Sequence, residues 1–93
     1  MSLNCYKEEA RDFLERINAS SEKLTQKMKF LEEEFGLLKD SIETNEVNKI
    51  KHQIYDMLFL LFEISADYDF DLDSEWNIGR ERKQKKYIVN GAE

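Results

Sequence analysis

Apolar positions recur along this chain in steps of three and four, the period of helices packed on one side. Leu3, Tyr6, Ala10, Phe13, Leu14 and Ile17 mark a first helix over 3–18. Asn18-Ala19-Ser20-Ser21 is a polar break, in which Ser20 or Ser21 can cap the next helix. Leu24, Met28, Leu31, Phe35, Leu38 and Ile42 then trace a heptad-like stripe over 22–43. Phe30 and Leu37 widen that stripe on the flank that also carries Glu34. Beyond Thr44-Asn45, a third helix over 46–67 carries the seam Val47, Ile50, Ile54, Met57, Leu61 and Ile64. Beside it runs a second face of His52, Asp56, Phe59 and Glu63. Tyr68-Asp69-Phe70-Asp71 connects to a fourth helix over 72–88, capped by Asp71 or Asp73, with Leu72, Trp76 and Gly79 turned inward and a stop at Asn90-Gly91. No segment alternates like a strand, and no repeat or low-complexity tract is present. The pattern predicts a single all-α domain over 1–93.

Residues 57–62 are apolar without interruption (Met57, Leu58, Phe59, Leu60, Leu61, Phe62). A helix apolar on all sides has to be covered on all sides, and 93 residues supply only part of that cover. A four-helix bundle completed by oligomerisation is therefore expected, a homodimer or homotetramer joined through the second and third helices. A plain coiled-coil adaptor fits the heptads but not this surplus apolar surface.

Charge narrows the choice of partners. The net charge of −6 argues against nonspecific binding of a nucleic acid polymer or an anionic membrane. No apolar run approaches the roughly 18–20 residues of a membrane span, and no signal peptide is legible. One cysteine, Cys5, cannot form an internal disulfide, which fits a reducing cytoplasm. Without a Cys or His nearby it is a poor candidate for a nucleophile or a zinc ligand. The charge is uneven, since residues 80–86 (RERKQKK) hold five bases and one acid. That run is either a solvated helix end favoured by the helix dipole or a holder of nucleotide phosphates. Trp76 reads as core rather than as a stacking platform.

The acids at apolar edges are the candidates for chemistry. On antiparallel helices Glu34 and Asp56 can point into one cleft, a minimal site for a hard divalent cation that takes carboxylate oxygens and keeps waters for a phosphate. The plainer alternative makes both of them boundary residues with solvated heads. Glu63, inside LLFEIS, must pair, bind a metal or turn outward, because an unpaired buried carboxylate costs several kcal/mol; a hydrogen bond to Tyr, Trp or Ser is the structural alternative. His52 stands one turn before Asp56, a spacing that suits a metal or, more commonly, a surface ion pair.

Three segments, in order, resemble a known family. Leu31-Glu32-Glu33-Glu34-Phe35-Gly36-Leu37-Leu38-Lys39-Asp40-Ser41-Ile42 is similar to the L-x-E-E-x-G-E-L-x-x-A-I segment of MazG-like nucleotide pyrophosphohydrolases. Gln53-Ile54-Tyr55-Asp56-Met57-Leu58-Phe59 is similar to their E-x-x-D-V-L-Y segment, and Asp69-Phe70-Asp71-Leu72-Asp73-Ser74-Glu75-Trp76 to their G-I-D-L-E-E-A turn. The basic tail ending in Lys86-Tyr87 resembles their K-x-x-R-Y end. The likeness covers about residues 24–88. These proteins form an all-α superfamily with phosphoribosyl-ATP pyrophosphohydrolase and the dimeric dUTPases.

The resemblance implies Mg²⁺-dependent (alternatively Mn²⁺-dependent) cleavage of a (d)NTP or related nucleotide to a monophosphate and pyrophosphate. Glu33, Glu34 and Asp56 would be catalytic, with Glu34 and Asp56 on the metal. Arg80, Lys83 and Lys86 would contact phosphates. Two family carboxylates are replaced, by Leu37 and Gln53, and the family's Asn in the tail reads Lys83. Leucine cannot bind metal, and the Gln carbonyl binds without charge, so metal affinity should fall. Glu63 or His52 could compensate from a shifted site. The alternative is a catalytically degenerate relative, a helical oligomer that binds a nucleotide or protein without turnover.

Overall fold

A computed structural model describes residues 2–89. The expected stop at Asn90-Gly91 lies outside them. The fold is all-α among the described residues: α1 (Leu3–Arg16), α2 (Leu24–Glu43), α3 (Val47–Tyr68) and α4 (Leu72–Lys83), the last continuing as a π-helical extension over Gln84–Val89. The fourth helix expected over 72–88 is thus wound in two ways, and the extension packs on α4 itself. No helix among the described residues is long and apolar enough to cross a membrane.

Local chemistry sets the ends of these elements. Asn18, Asn45 and Asp69 take left-handed backbone at φ 57°, 55° and 54° where α1, α2 and α3 stop. Asn and Asp tolerate that region better than other residues bearing a Cβ, so the short polar side chains act as terminators. The Ser2 hydroxyl accepts from the Cys5 amide to cap α1, and Asp71 accepts from the Ser74 amide to cap α4. Ser20 and Ser21 do not cap α2. Its first turn follows Lys23, which offers no capping oxygen, because the loop runs two residues further than the polar break suggested.

α2 and α3 pack antiparallel, α1 lies along α3, and α4 meets α1. The α1–α3 contact is aromatic: Phe13 meets Phe59 edge-on at 5.2 Å between ring centroids, and Tyr6 lies 5.8 Å from Phe62. Beneath these rings sit Ala10, Leu14 and Ala66, the buried apolar residues among those described. α1 also closes the end of α3. Lys7 donates to the Phe70 carbonyl at 2.6 Å, and Arg11 donates to the Ala66 carbonyl at 2.9 Å and to Asp69 at 3.0 Å. These cations gather where the negative end of the helix dipole lies, Arg11 sharing the Ala66 carbonyl with the Asp69 amide. In return Asp73 of α4 accepts from the Leu3 amide at 2.9 Å, at the start of α1.

The α2–α3 seam keeps only half of the stripe the apolar spacing predicted: Leu24, Leu31, Leu38, Ile50, Met57 and Ile64 are half-buried, and the alternate members are not. Met28, Phe35 and Ile42 of the stripe are 47, 57 and 58% exposed, and Val47, Ile54 and Leu61 are exposed as well. The line turned inward on α2 runs Lys27, Leu31, Glu34, Leu38, Ser41, one residue and about 100° round from the outward edge. Facing it on α3 are Gln53, Asp56, Leu60 and Glu63. Every seventh position of the α2 seam is therefore polar, and the apolar edge is left for another surface. Trp76, expected inside, is 60% exposed. The first turn of α4 is held at the start of α1, and Trp76 lies one turn further along a helix that packs little on the rest of the bundle.

Candidate functional site

Two clusters of polar groups lie in the α2–α3 seam. Nearer the α2–α3 turn, Glu34 and Asp56 line one cleft of about 430 Å³ with Phe13, Phe30, Tyr55, Phe59 and Leu60. The antiparallel pairing brings these two acids together as the sequence predicted. Asp56 also receives the His52 ring, Nε2 to Oδ2 at 3.0 Å, with the imidazole largely in solvent. His52 is therefore a surface ion-pair partner at the rim.

Glu34 is half-buried, and its Oε2 is shut off from solvent with no hydrogen-bond partner; the same is true of Gln53 Oε1. An unpaired buried carboxylate oxygen is costly and calls for an explanation. Burial pushes the Glu34 carboxyl above its usual range, the charge of Asp56 adds to the rise, and His52 opposes it. A carboxylate oxygen without a donor, in one cleft with a second carboxylate, makes a pocket short of positive charge; Gln53, one turn before Asp56 on α3, is half-buried but does not line it. Hard oxygen donors of this kind fit Mg²⁺ or Mn²⁺. Leu37, half exposed, adds no oxygen. Among the described residues, no three His, Cys, Asp or Glu side chains converge as a metal-binding group, so a cation here would rest on Glu34 and Asp56.

Several expected members are elsewhere. Glu33 points to solvent, because one step along α2 turns it away from the seam. Arg80, Lys83 and Lys86 are exposed on α4 and its extension and do not line the cleft, since α4 packs on α1. Glu63 is buried two turns further along α3, at the other cluster. There Lys27 is fully buried and donates to Asp67 Oδ2 at 2.6 Å. Burial raises the Glu63 carboxyl above its usual range; the Lys27 charge works against this, and Glu22 and Asp67 work with it. Lys27 offsets that cost only in part, since its direct bond goes to Asp67, and no Tyr, Trp or Ser bond to Glu63 of the kind considered from sequence forms among the described residues.

Lys27 went unnoticed in the sequence, where the apolar residues beside it drew the seam one position away. Its signal was register: Lys27, Glu34 and Ser41 lie seven apart, as a single polar line. Nor did the sequence join Phe13, Tyr55 and Phe59 into the one aromatic wall that lines the cleft. Tyr55 is 58% exposed, with its ring 6.0 Å from that of Phe59.

The fold and this cleft define an all-α helical bundle with a paired-carboxylate site between antiparallel helices. No protein-family model, curated protein or solved structure matches the chain.

Proposed function

We propose that the chain is a MazG-like nucleotide pyrophosphohydrolase with a reduced metal site, converting a (d)NTP or related nucleotide to a monophosphate and pyrophosphate. The observation that carries this reading is the buried, donor-less oxygen Glu34 Oε2 in the cleft it shares with Asp56. Mg²⁺ is commonly held by one or two carboxylates plus substrate phosphates and waters, so two carboxylates suffice for an ion that arrives with its nucleotide. When bound, such an ion supplies charge neutralisation at the phosphates and acidifies a coordinated water. Glu34 and Asp56 hold the site's negative charge, and Phe13, Phe30 and Phe59 keep one side of the cleft apolar. Because burial and Asp56 hold the Glu34 carboxyl above its usual range, a cation competes with protonation there, and binding should tighten as pH rises. The order of the three sequence segments resembling the family supports the same assignment. The exposed stripe of Met28, Phe35, Ile42, Ile54 and Leu61 supports a homodimer or homotetramer through α2 and α3. The single cysteine suits a cytoplasmic setting.

A second reading, nucleotide or protein binding without turnover, is favoured by Leu37 and Gln53 standing where the family has carboxylates. Pyrophosphate release from a panel of NTPs and dNTPs with Mg²⁺ or Mn²⁺ separates the two. Release that disappears in Asp56→Ala supports the hydrolase. Nucleotide binding without release from any member supports the second reading.

A further inference from the structure

Two surfaces of this chain are complementary to each other yet do not meet within one molecule. The first is the outer side of the α1–α3 pair. Its floor is aromatic and aliphatic: Tyr6, Tyr55, Leu58, Phe59 and Phe62 line a groove of about 300 Å³, and Phe13, Tyr55 and Phe59 line a neighbouring one of about 770 Å³. Its rim is acidic. Glu8, Glu9 and Asp12 of α1 border these grooves against a single base, Arg16. Arg11 pairs with Glu8 at 2.8 Å while its other nitrogen reaches Ala66 and Asp69, and Lys7 is buried at Phe70, so Glu9 and Asp12 are the rim acids without a partner among the described residues.

The second surface is α4 with its extension. Trp76, Gly79, Arg80, Lys83, Tyr87 and Ile88 line a shared groove of about 440 Å³. The apolar members are open to solvent, with Tyr87 63% and Ile88 66% exposed. The five bases of 80–86 surround them, all exposed and outside the ion pairs formed among the described residues. One surface is an aromatic trough with a negative rim; the other is a projecting helix end, shallowly grooved, whose aromatic and aliphatic groups are bordered by Arg80 and Lys83 with Glu75 as the one acid, and it serves as the ridge. Tethering at Asp73 joins the start of α4 to the start of its own α1 and leaves the basic end projecting.

We propose that the basic, aromatic end of α4 from one copy docks in the acid-rimmed α1–α3 groove of a second copy, with the exchange made reciprocally about a twofold axis. An isologous interface of this kind uses the same pair of patches twice, so each ridge fills the other copy's trough. The apolar groups supply the buried area, and the opposed rims set register and exclude wrong partners. This interface differs from one made through α2 and α3; its groove shares Phe13, Tyr55 and Phe59 with the carboxylate cleft, but it does not depend on that cleft's chemistry.

Charge reversal tests it by sedimentation equilibrium on the full chain across micromolar concentrations. The double variant Glu9→Lys, Asp12→Lys makes both patches basic, and Arg80→Glu, Lys83→Glu makes both acidic. Each alone should weaken association at least about tenfold, dropping the assembly by one step. Mixed in equal amounts, the two variants should recover the wild-type mass, because each trough then faces a ridge of opposite sign. All four positions are exposed, and unchanged far-UV circular dichroism keeps misfolding out of the result; the single variants Asp12→Lys and Arg80→Glu serve if a double variant loses helix. A wild-type monomer, either variant associating as the wild type does, or a mixture no heavier than its components would overturn the proposal.

Discussion

The two ends of the α2–α3 seam are built from the same kinds of residue and reach opposite electrostatic outcomes. At one end Lys27 lies buried between Glu63 and Asp67, with a direct bond to Asp67, and the negative charge has a fixed counter-charge. At the other end Glu34 and Asp56 face each other with only a solvent-exposed histidine nearby, and two buried oxygens lack donors. A buried polar seam is tolerated where it is paired. Where it is unpaired, stability is given up at a place that a cation can restore. The comparison separates a structural cluster from a candidate site on physical grounds, although both read as acids on a helix edge.

Breaking the paired end should have the largest effect. Lys27→Ala strips the ammonium from two carboxylates, one of them buried, and should cost about 3 kcal/mol by urea unfolding, within the range for removing one partner of a buried pair. A loss under about 1 kcal/mol would show that Lys27 is not the counter-charge that holds this end.

The opposite result is expected at the unpaired end. Glu34→Gln removes an uncompensated charge and should raise Tm by roughly 4–8 °C at neutral pH, about 1 kcal/mol. The sign of its pH dependence follows from the direction of the shift. The folded carboxyl has a pKa above its unfolded value of 4.5, so its contribution is fully present below that pH and is lost as pH rises through the raised value. The gap between variant and wild type should therefore widen from pH 4 towards pH 7 in thermal melts. A constant gap would place Glu34 in water.

The smallest effect belongs to His52→Ala. Its imidazole is exposed, and the ion pair with Asp56 should be worth under about 0.5 kcal/mol in chemical denaturation. A larger loss would make His52 part of the cleft's structure rather than its rim.

Helix existence and the helix ends were legible because they depend on local chemistry: the three-and-four spacing, Asn18, Asn45 and Asp69 as terminators, and Asp71 as a cap. The pairing of Glu34 with Asp56 was legible because antiparallel register brings them level. The facing sides of α2 and α3 were legible only in part. An apolar stripe marks a surface that wants cover without saying which neighbour gives it, and in one chain the cover of α3 comes from α1 through Phe13 and Tyr6. Lys27 was hidden for the same reason, since a lysine next to a methionine reads as solvated until the register is known. The basic tail was read as part of the cleft, but α4 is anchored by its first turn and carries Arg80, Lys83 and Lys86 elsewhere.

The bond from the Leu3 amide to Asp73 spans 70 residues of chain. Contacts of such separation close late, after local helices and the α2–α3 hairpin have formed. During synthesis α1 emerges with its aromatic face ready, 70 residues before the carboxylate that receives its leading amide. A helix made before its partners is thus among the last to be secured, and a nascent or truncated chain lacking Asp73 would leave that amide without this acceptor and α1 docked on α3 alone.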